Sequence, residues 1–322
     1  LKLFKRLTFV GLFFDCGVFC SINTTMSGSS NEWSPLKEVV VGSIKRFNQY
    51  THYSGEQHSN AFLIPIMSEV IEGLQTFQNL LEKEGVKVYR PNGFCYNVRD
   101  CATVLGNTIL EAPMQYEIEY PFQKPLKSIF KQKWLEGMNW ISAPEPTWID
   151  KGIHEPLFDG ANICRLDKTL LVALNQTANQ HGLSWLKRQF PKYSIEETTL
   201  NSDISHIDTS ISPISSNTVL INSDRYTQSS IPDTFKDWNQ IWIKSNDLVE
   251  EPIVDGMMSV ASKWVGMNTL SLNETTLFVN ECQVNLIEKL EQNNFNCIPV
   301  PLKHTRELGG GLHCCTLDLV RD

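Results

Sequence analysis

Four reactive or charged side chains stand at the mouths of apolar segments: Asp100 in "RDCATVLG", Asp159 in "FDGANICR", His206 in "SHIDTSIS" and Cys314 in "GGGLHCCTLDLV". Two carboxylates, an imidazole and a thiol suit one kind of substrate, a planar cation. Carboxylates hold a guanidinium through paired, charge-assisted hydrogen bonds. A thiolate then attacks its central carbon while the histidine moves protons between leaving and attacking amines. Beside two buried carboxylates the thiol should resist ionisation until the cation arrives, so the expected activation is substrate-assisted. Taken singly, each residue also has a plainer reading: a turn residue for Asp159, a strand-end ion pair for Asp100, a core histidine for His206. Cys315, on the opposite face of an expected strand from Cys314, reads as core. His313 also faces away on that strand and reads as structural.

The elements that would bring these four together form a repeat. "DCATVLGNTILEAP", "DGANICRLDKTLLVALN", "HIDTSISPISSNTVLINS" and "NTLSLNETTLFVNE" share one order: a polar residue, an apolar strand, a polar turn, a second apolar strand. The expected hairpin turns are Gly106-Asn107, Asp167-Lys168, Ser216-Asn217 and Asn273-Glu274. A helix and a short strand follow each hairpin, with helices expected in "PLKSIFKQKWLEG", "HGLSWLKRQF", "PDTFKDWNQ" and "CQVNLIEKLEQNN". In the first of these, Leu126, Ile129, Phe130 and Trp134 are expected on one apolar face. Near the N-terminus, "EVVVGSI", a helix with Val70, Leu74, Phe77 and Leu81 on one side, and "VKVYRP" make a unit without its first strand. "HCCTLDLV" at the other end is a strand without a partner. Pairing the two ends closes five strand–strand–helix–strand units into a ring and removes the open sheet edges. The ring axis is then where Asp100, Asp159, His206 and Cys314 meet, and glycines before Cys314 let the backbone turn tightly there.

Composition sets limits on function. The 322 residues are 41% hydrophobic with a formal net charge of -8, which argues against a nucleic-acid surface. Nine cysteines, without disulfide or zinc spacing, fit a reducing compartment and a cytoplasmic protein without a metal. "LGGGLH" lacks the glycine spacing of a dinucleotide site, and no cofactor is expected. The basic, apolar start "LKLFKRLTFVGLFFDCGVFC" resembles a secretory signal, but Asp15 interrupts it and it is too short to span a bilayer. Residues 1–30 are read as a leader or upstream translation, with Met26 a natural start, and 31–322 as one domain.

Longer wording makes the reading specific. "NEWSPLKEVVVGS", "RDCATVLGNTILEAPM", "FDGANICR", "HIDTSISP" and "LGGGLHCCTLDLVR" resemble the amidinotransferases of the glycine and inosamine-phosphate types, from about Asn31 to Arg321. The resemblance implies the five-bladed α/β-propeller, or pentein, fold with pseudo-fivefold symmetry. It implies Cys314 as the nucleophile of an amidino-cysteine intermediate, His206 as general acid/base and Asp159 as its partner. Asp100 and Asp208 match guanidinium-binding carboxylates, Arg225 the residue that receives the substrate carboxylate, and Ser262 a serine lining the site. L-Arginine and an amine acceptor are the implied small-molecule partners, with neither nucleic acid nor membrane, and a homodimer is in keeping with the family. Bulkier residues stand in the glycine enzyme where this chain has Asp203 and Ser205, and the smaller Ser205 suggests a larger acceptor. "KWVGMN" and "LKHTRELGGGLHC" look closer to the inosamine-phosphate type, the short segment after "VVVGS" suggests an open mouth, and relatives continue past Asp322. Two rivals stand beside a transferase: a guanidino-group hydrolase of the same fold, making citrulline, and an inactive binding propeller.

Overall fold

The computed structural model describes residues 28–46, 60–147, 154–199 and 206–322. Residues 1–27 of the expected leader, together with Asp203 and Ser205, lie outside the described residues, whereas Ser29 is buried and bridges to Gly106. Five three-stranded sheets repeat one pattern, in which the first strand runs antiparallel to the second and the second parallel to the third. The second blade is Ala102–Leu105, Thr108–Glu111 and Asn139–Ser142. The third is Ile163–Leu166, Thr169–Leu174 and Ser194–Thr199. The fourth is Ile211–Ser215, Thr218–Asn222 and Asn239–Ile243, and the fifth Leu270–Asn273, Thr276–Asn280 and Asn296–Val300. The first blade joins the two ends of the chain. Thr316–Arg321 pairs antiparallel with Leu36–Val41, placing Leu317 opposite Val40, and Leu36–Val41 runs parallel to Lys87–Tyr89. The ring is therefore an α/β five-bladed propeller whose edges are closed by its own last strand.

A parallel partner requires a crossover, and helices supply it. Asn60–Lys83 crosses in the first blade, Lys127–Leu135 in the second, Gln180–Gln189 in the third and Val284–Gln292 in the fifth. Val70, Leu74, Phe77 and Leu81 on the first helix are fully buried, and Phe77 meets Phe278 of the fifth blade edge-on at 5.4 Å. Each such side chain contributes about 1.5–3 kcal/mol on burial, so this stripe fastens one blade to the next. Gly85, at φ +80, ends that helix in the left-handed conformation expected of a C-cap.

Three expectations about the blades change. The fourth crossover is not a full helix but a single turn, Asp233–Phe235, where buried Phe235 and half-buried Trp238 pack edge-on at 5.1 Å. Both rings pack against the apolar cluster of Trp33, Ile211 and Val219. Trp134 is 53% exposed, whereas Lys133 is buried and its Nζ donates to Glu38 (2.8 Å) and Glu136 (2.6 Å). The inward face is Leu126, Ile129, Phe130 and Lys133, because two carboxylates make a buried ammonium tolerable at the i+7 position. The last hairpin turns at Glu274-Thr275, with Asn273 opposite Thr276. Among the described residues, no helix is long and apolar enough to cross a membrane.

Candidate active site

The site is assembled from the entry to each blade's first strand. A single helical turn precedes that strand in blades two to five: Val98–Cys101, Gly160–Asn162, Ile207–Thr209 and Lys263–Met267. Asp100 lies in the first of these, while Asp159, His206 and Ser262 occupy the residue immediately before the other three, without a side-chain hydrogen bond to the turn. In the first blade a turn takes the helix's place, with Cys315 N donating to Gly311 O at 3.0 Å and Thr316 N to His313 O at 3.1 Å. Cys314 therefore stands before the strand, which begins at Thr316, and not on it. Gly309 enters this turn at φ +75, in the left-handed region, and a Cβ on Gly310 would collide with Asn97 and come within 2.7 Å of the Cys314 Cβ. Asn268 fixes the turn from the fifth blade, its Oδ1 accepting from Cys314 N at 2.9 Å.

Asp100, Asp159, His206, Asp208, Arg225, Ser262 and Cys314 all line one cavity of about 840 Å³. Buried Cys314 donates through Sγ to Asp208 Oδ2 at 3.3 Å. His206 lies between carboxylates: Nε2 is 3.0 Å from Asp159 Oδ2 and Nδ1 is 3.5 Å from Asp100 Oδ1. Arg225 Nη1 donates to Thr209 O (2.9 Å), Thr209 Oγ1 (2.8 Å) and Ser210 Oγ (2.7 Å), which fixes the guanidinium in the wall.

The electrostatics follow from burial and neighbours. Burial, then Asp208 and Asp100, push the Cys314 thiol well above its ordinary value. Burial opposes a charge on His206, but Asp100 and Asp159 outweigh it and raise the imidazole to about 10. Burial pushes Asp100 up to about 7 despite His206. Burial would raise Asp208 too, yet the hydrogen bond and charge of His313 hold it at about 2. Arg225 is lowered to about 10 by burial, which Asp208 opposes. Asp100 Oδ1, Asp159 Oδ1 and Asp208 Oδ1 are buried and without a hydrogen-bond partner among the described residues. Buried carboxylate oxygens left in this way mark a place built for a donor-rich cation, and a guanidinium offers five N–H donors in one plane.

One expectation about this turn fails. His313 does not face away from Cys314: its Nδ1 lies 2.8 Å from Asp208 Oδ2, the oxygen that accepts from the thiol, and its Nε2 is 3.3 Å from Glu32. The strand alternation that would separate the two side chains does not apply in a turn. Cys315 is fully buried in the apolar core, its Sγ directed to Leu312 O. Sequence reasoning also missed Asn268, Arg306 and Glu119, of which Arg306 and Glu119 line the cavity. Asn268 directly follows Lys263–Met267 and is the polar residue that opens the repeat unit "NTLSLNETTLFVNE", but Glu119 carries no such signal. Among the described residues, no cluster of His, Cys, Asp or Glu is arranged to hold a metal ion.

Inosamine-phosphate amidinotransferase 1 of Streptomyces griseus is 30% identical to this chain over 335 residues, covering 90% of this chain and 96% of that protein. The chain belongs to the amidinotransferase family. Mitochondrial glycine amidinotransferase of Gallus gallus is 27% identical over 356 residues, covering 91% of this chain and 82% of the relative. The solved inosamine-phosphate amidinotransferase of S. griseus superposes with a TM-score of 0.81 at 28% identity, covering 92% of this amidinotransferase and 97% of the solved chain. An amidinotransferase of the saxitoxin biosynthetic pathway from Microseira wollei gives 0.81 at 25% identity, with the same coverage. Dimethylarginine dimethylaminohydrolase, at a TM-score of 0.64 and 14% identity over 88% of this chain and 99% of that one, shares the fold. No family model matches the chain.

Proposed function

We infer that this protein moves the amidino group of L-arginine to an amine acceptor and releases L-ornithine, with Cys314 carrying the group in between. The observation that carries this reading is a thiol hydrogen-bonded to one of three carboxylates, each with a buried, unpartnered oxygen, in a single cavity. Arginine's guanidinium docks on Asp100 and Asp208, and Arg225 takes its carboxylate beside Ser262. Substrate N–H groups then replace the thiol at Asp208, and the incoming positive charge lowers the thiol's pKa, so the nucleophile forms only with substrate in place.

Sulfur bonds to the guanidinium carbon and the bond from that carbon to arginine's chain nitrogen breaks. The thiol's proton ends on that nitrogen, relayed through His206, which Asp159 holds in orientation. An S-amidino-cysteine and ornithine result, with atoms and charge conserved. The acceptor's neutral amine then attacks the same carbon, the sulfur leaves, and the amine's surplus proton returns to it through His206. His313, hydrogen-bonded to Asp208, helps to keep that carboxyl ionised. The seven cysteines among the described residues are free thiols, in keeping with work in a reducing cytoplasm.

The test is a product assay with arginine alone and then with glycine, an inosamine phosphate and a panel of primary amines. Sustained ornithine release that requires an acceptor is expected. Citrulline formed with water alone would instead make the protein a guanidino-group hydrolase.

A further inference from the structure

Glu119 introduces a charge that the arginine chemistry does not use. It lies in the irregular helical segment Glu117–Leu126 of the second blade, and it lines the cavity with Tyr116 and Phe122. No hydrogen bond or ion pair holds its carboxyl among the described residues. Burial first, then Asp159 and Asp100, push it up to about 8, with His206 opposing. A carboxyl kept beside two others with no cation of its own is costly, unless a ligand brings the cation.

Arginine is the wrong ligand for it. Its guanidinium is matched by Asp100 and Asp208, and its α-carboxylate by Arg225. The α-ammonium shares a carbon with that carboxylate and must stay near Arg225. Glu119 and Arg225 enter the cavity from different blades, Glu119 from the segment Glu117–Leu126 of the second and Arg225 from just after the fourth blade's second strand, Thr218–Asn222. The cavity thus has two poles, a cationic one at Arg225 and, at Glu119, a carboxyl that a bound cation would ionise, and at about 840 Å³ it is large for an amino acid.

We propose that Glu119 recognises the acceptor and selects an amine carrying a second cationic nitrogen, a diamine or polyamine, over an amino acid such as glycine. The inference rests on the amidinotransferase reading above. In a two-step transfer, kcat/KM for arginine reports the first half-reaction and kcat/KM for the acceptor the second, so the two are separable.

The test uses the full chain with 1,4-diaminobutane and glycine as probes. The wild-type protein should prefer the diamine. Glu119→Gln should lower kcat/KM for the diamine by about tenfold to a hundredfold, the worth of one charge-assisted hydrogen bond, and lower that for arginine far less. Glu119→Lys should turn the preference towards glycine. A wild-type preference for glycine would overturn the inference, as would an equal loss for arginine and diamine in Glu119→Gln. A first turnover that releases ornithine, followed by indifference between acceptors, sinks this inference alone. No ornithine in that first turnover sinks the amidinotransferase reading itself.

Discussion

Two clusters of charge lie back to back in this propeller, built from the same residue types and often from neighbours in the chain. At the hub, Arg165 joins Glu32 and Asp318, each at 2.5 Å, Arg99 reaches Asp318 at 2.5 Å, and Arg321 reaches it at 2.6 Å. Every one of these side chains is buried. Burial would raise Asp318, but Arg165, Arg99 and Arg321 hold it well below the ordinary carboxylate range. At Asp100 in the cavity the balance is reversed: burial prevails and raises it to about 7, and one oxygen each of Asp100, Asp159 and Asp208 stays without a donor. Arg99 and Asp100 are adjacent, yet one completes the hub and the other serves the cavity. Buried charge stabilises where its partners come from the chain itself, and it does chemistry where a partner must come from outside. His313 bridges the two clusters, with Glu32 of the hub on one nitrogen and Asp208 of the cavity on the other.

The largest effect should come from two adjacent thiols, one in the cavity and one in the apolar core. Cys314→Ala should abolish turnover, by at least about 10⁴-fold, with the fold intact by circular dichroism. Cys315→Ala, in the apolar core, should leave kcat within about threefold. Equal losses in both would remove the distinction between a reactive thiol and a packed one. The next contrast sets the two clusters directly against each other. Arg165→Met should cost about 3–5 kcal/mol in denaturant melts, because it strands Glu32 and Asp318 in the interior. Asp100→Asn should lower kcat/KM for arginine by about 10²-fold or more and leave stability equal or higher.

The smallest effect is a matter of pH. Asp100's folded value, about 7, lies above its ordinary 3.8. Between those values the folded protein holds a proton that the unfolded chain has released, so stability falls as pH rises through that window. His206, raised from 6.5 to about 10, contributes stability in full below 6.5, and that contribution is lost as pH rises from there through about 10. Asp208, lowered to about 2, contributes above 3.8 and loses that as pH falls towards 2. Melts of wild type and Asp100→Asn at pH 5 and pH 8 should therefore diverge, with the variant gaining relative to wild type at pH 8. Parallel behaviour would mean that Asp100 is as well satisfied as the hub carboxylates.

The blades and the convergence of the reactive residues were legible because period-two apolar strands, polar turns and a first-to-last pairing are local or chain-wide patterns. The hub was not. Arg165 in "CRLD" and Asp318 in "TLDLV" sit at alternate positions of apolar strands, where a charge reads as solvent-facing, and a mutual neutralisation between distant blades leaves no local trace. Lys133 was hidden in the same way by Glu38, from another blade. Glu119 was invisible because an irregular segment carries no periodicity from which its inward turn could be read. The fourth crossover misled because "PDTFKDWNQ" has helical composition but ends after one turn around buried Phe235.

The most direct test of a thiol that ionises only for its substrate is a single turnover. Protein and arginine are mixed without an acceptor, the reaction is quenched, and both the released amino acid and the peptide containing Cys314 are measured. The account predicts one equivalent of ornithine per chain and an amidino group on Cys314 but not on Cys315. Ornithine without that adduct, the adduct on another residue, or steady formation of citrulline would contradict it.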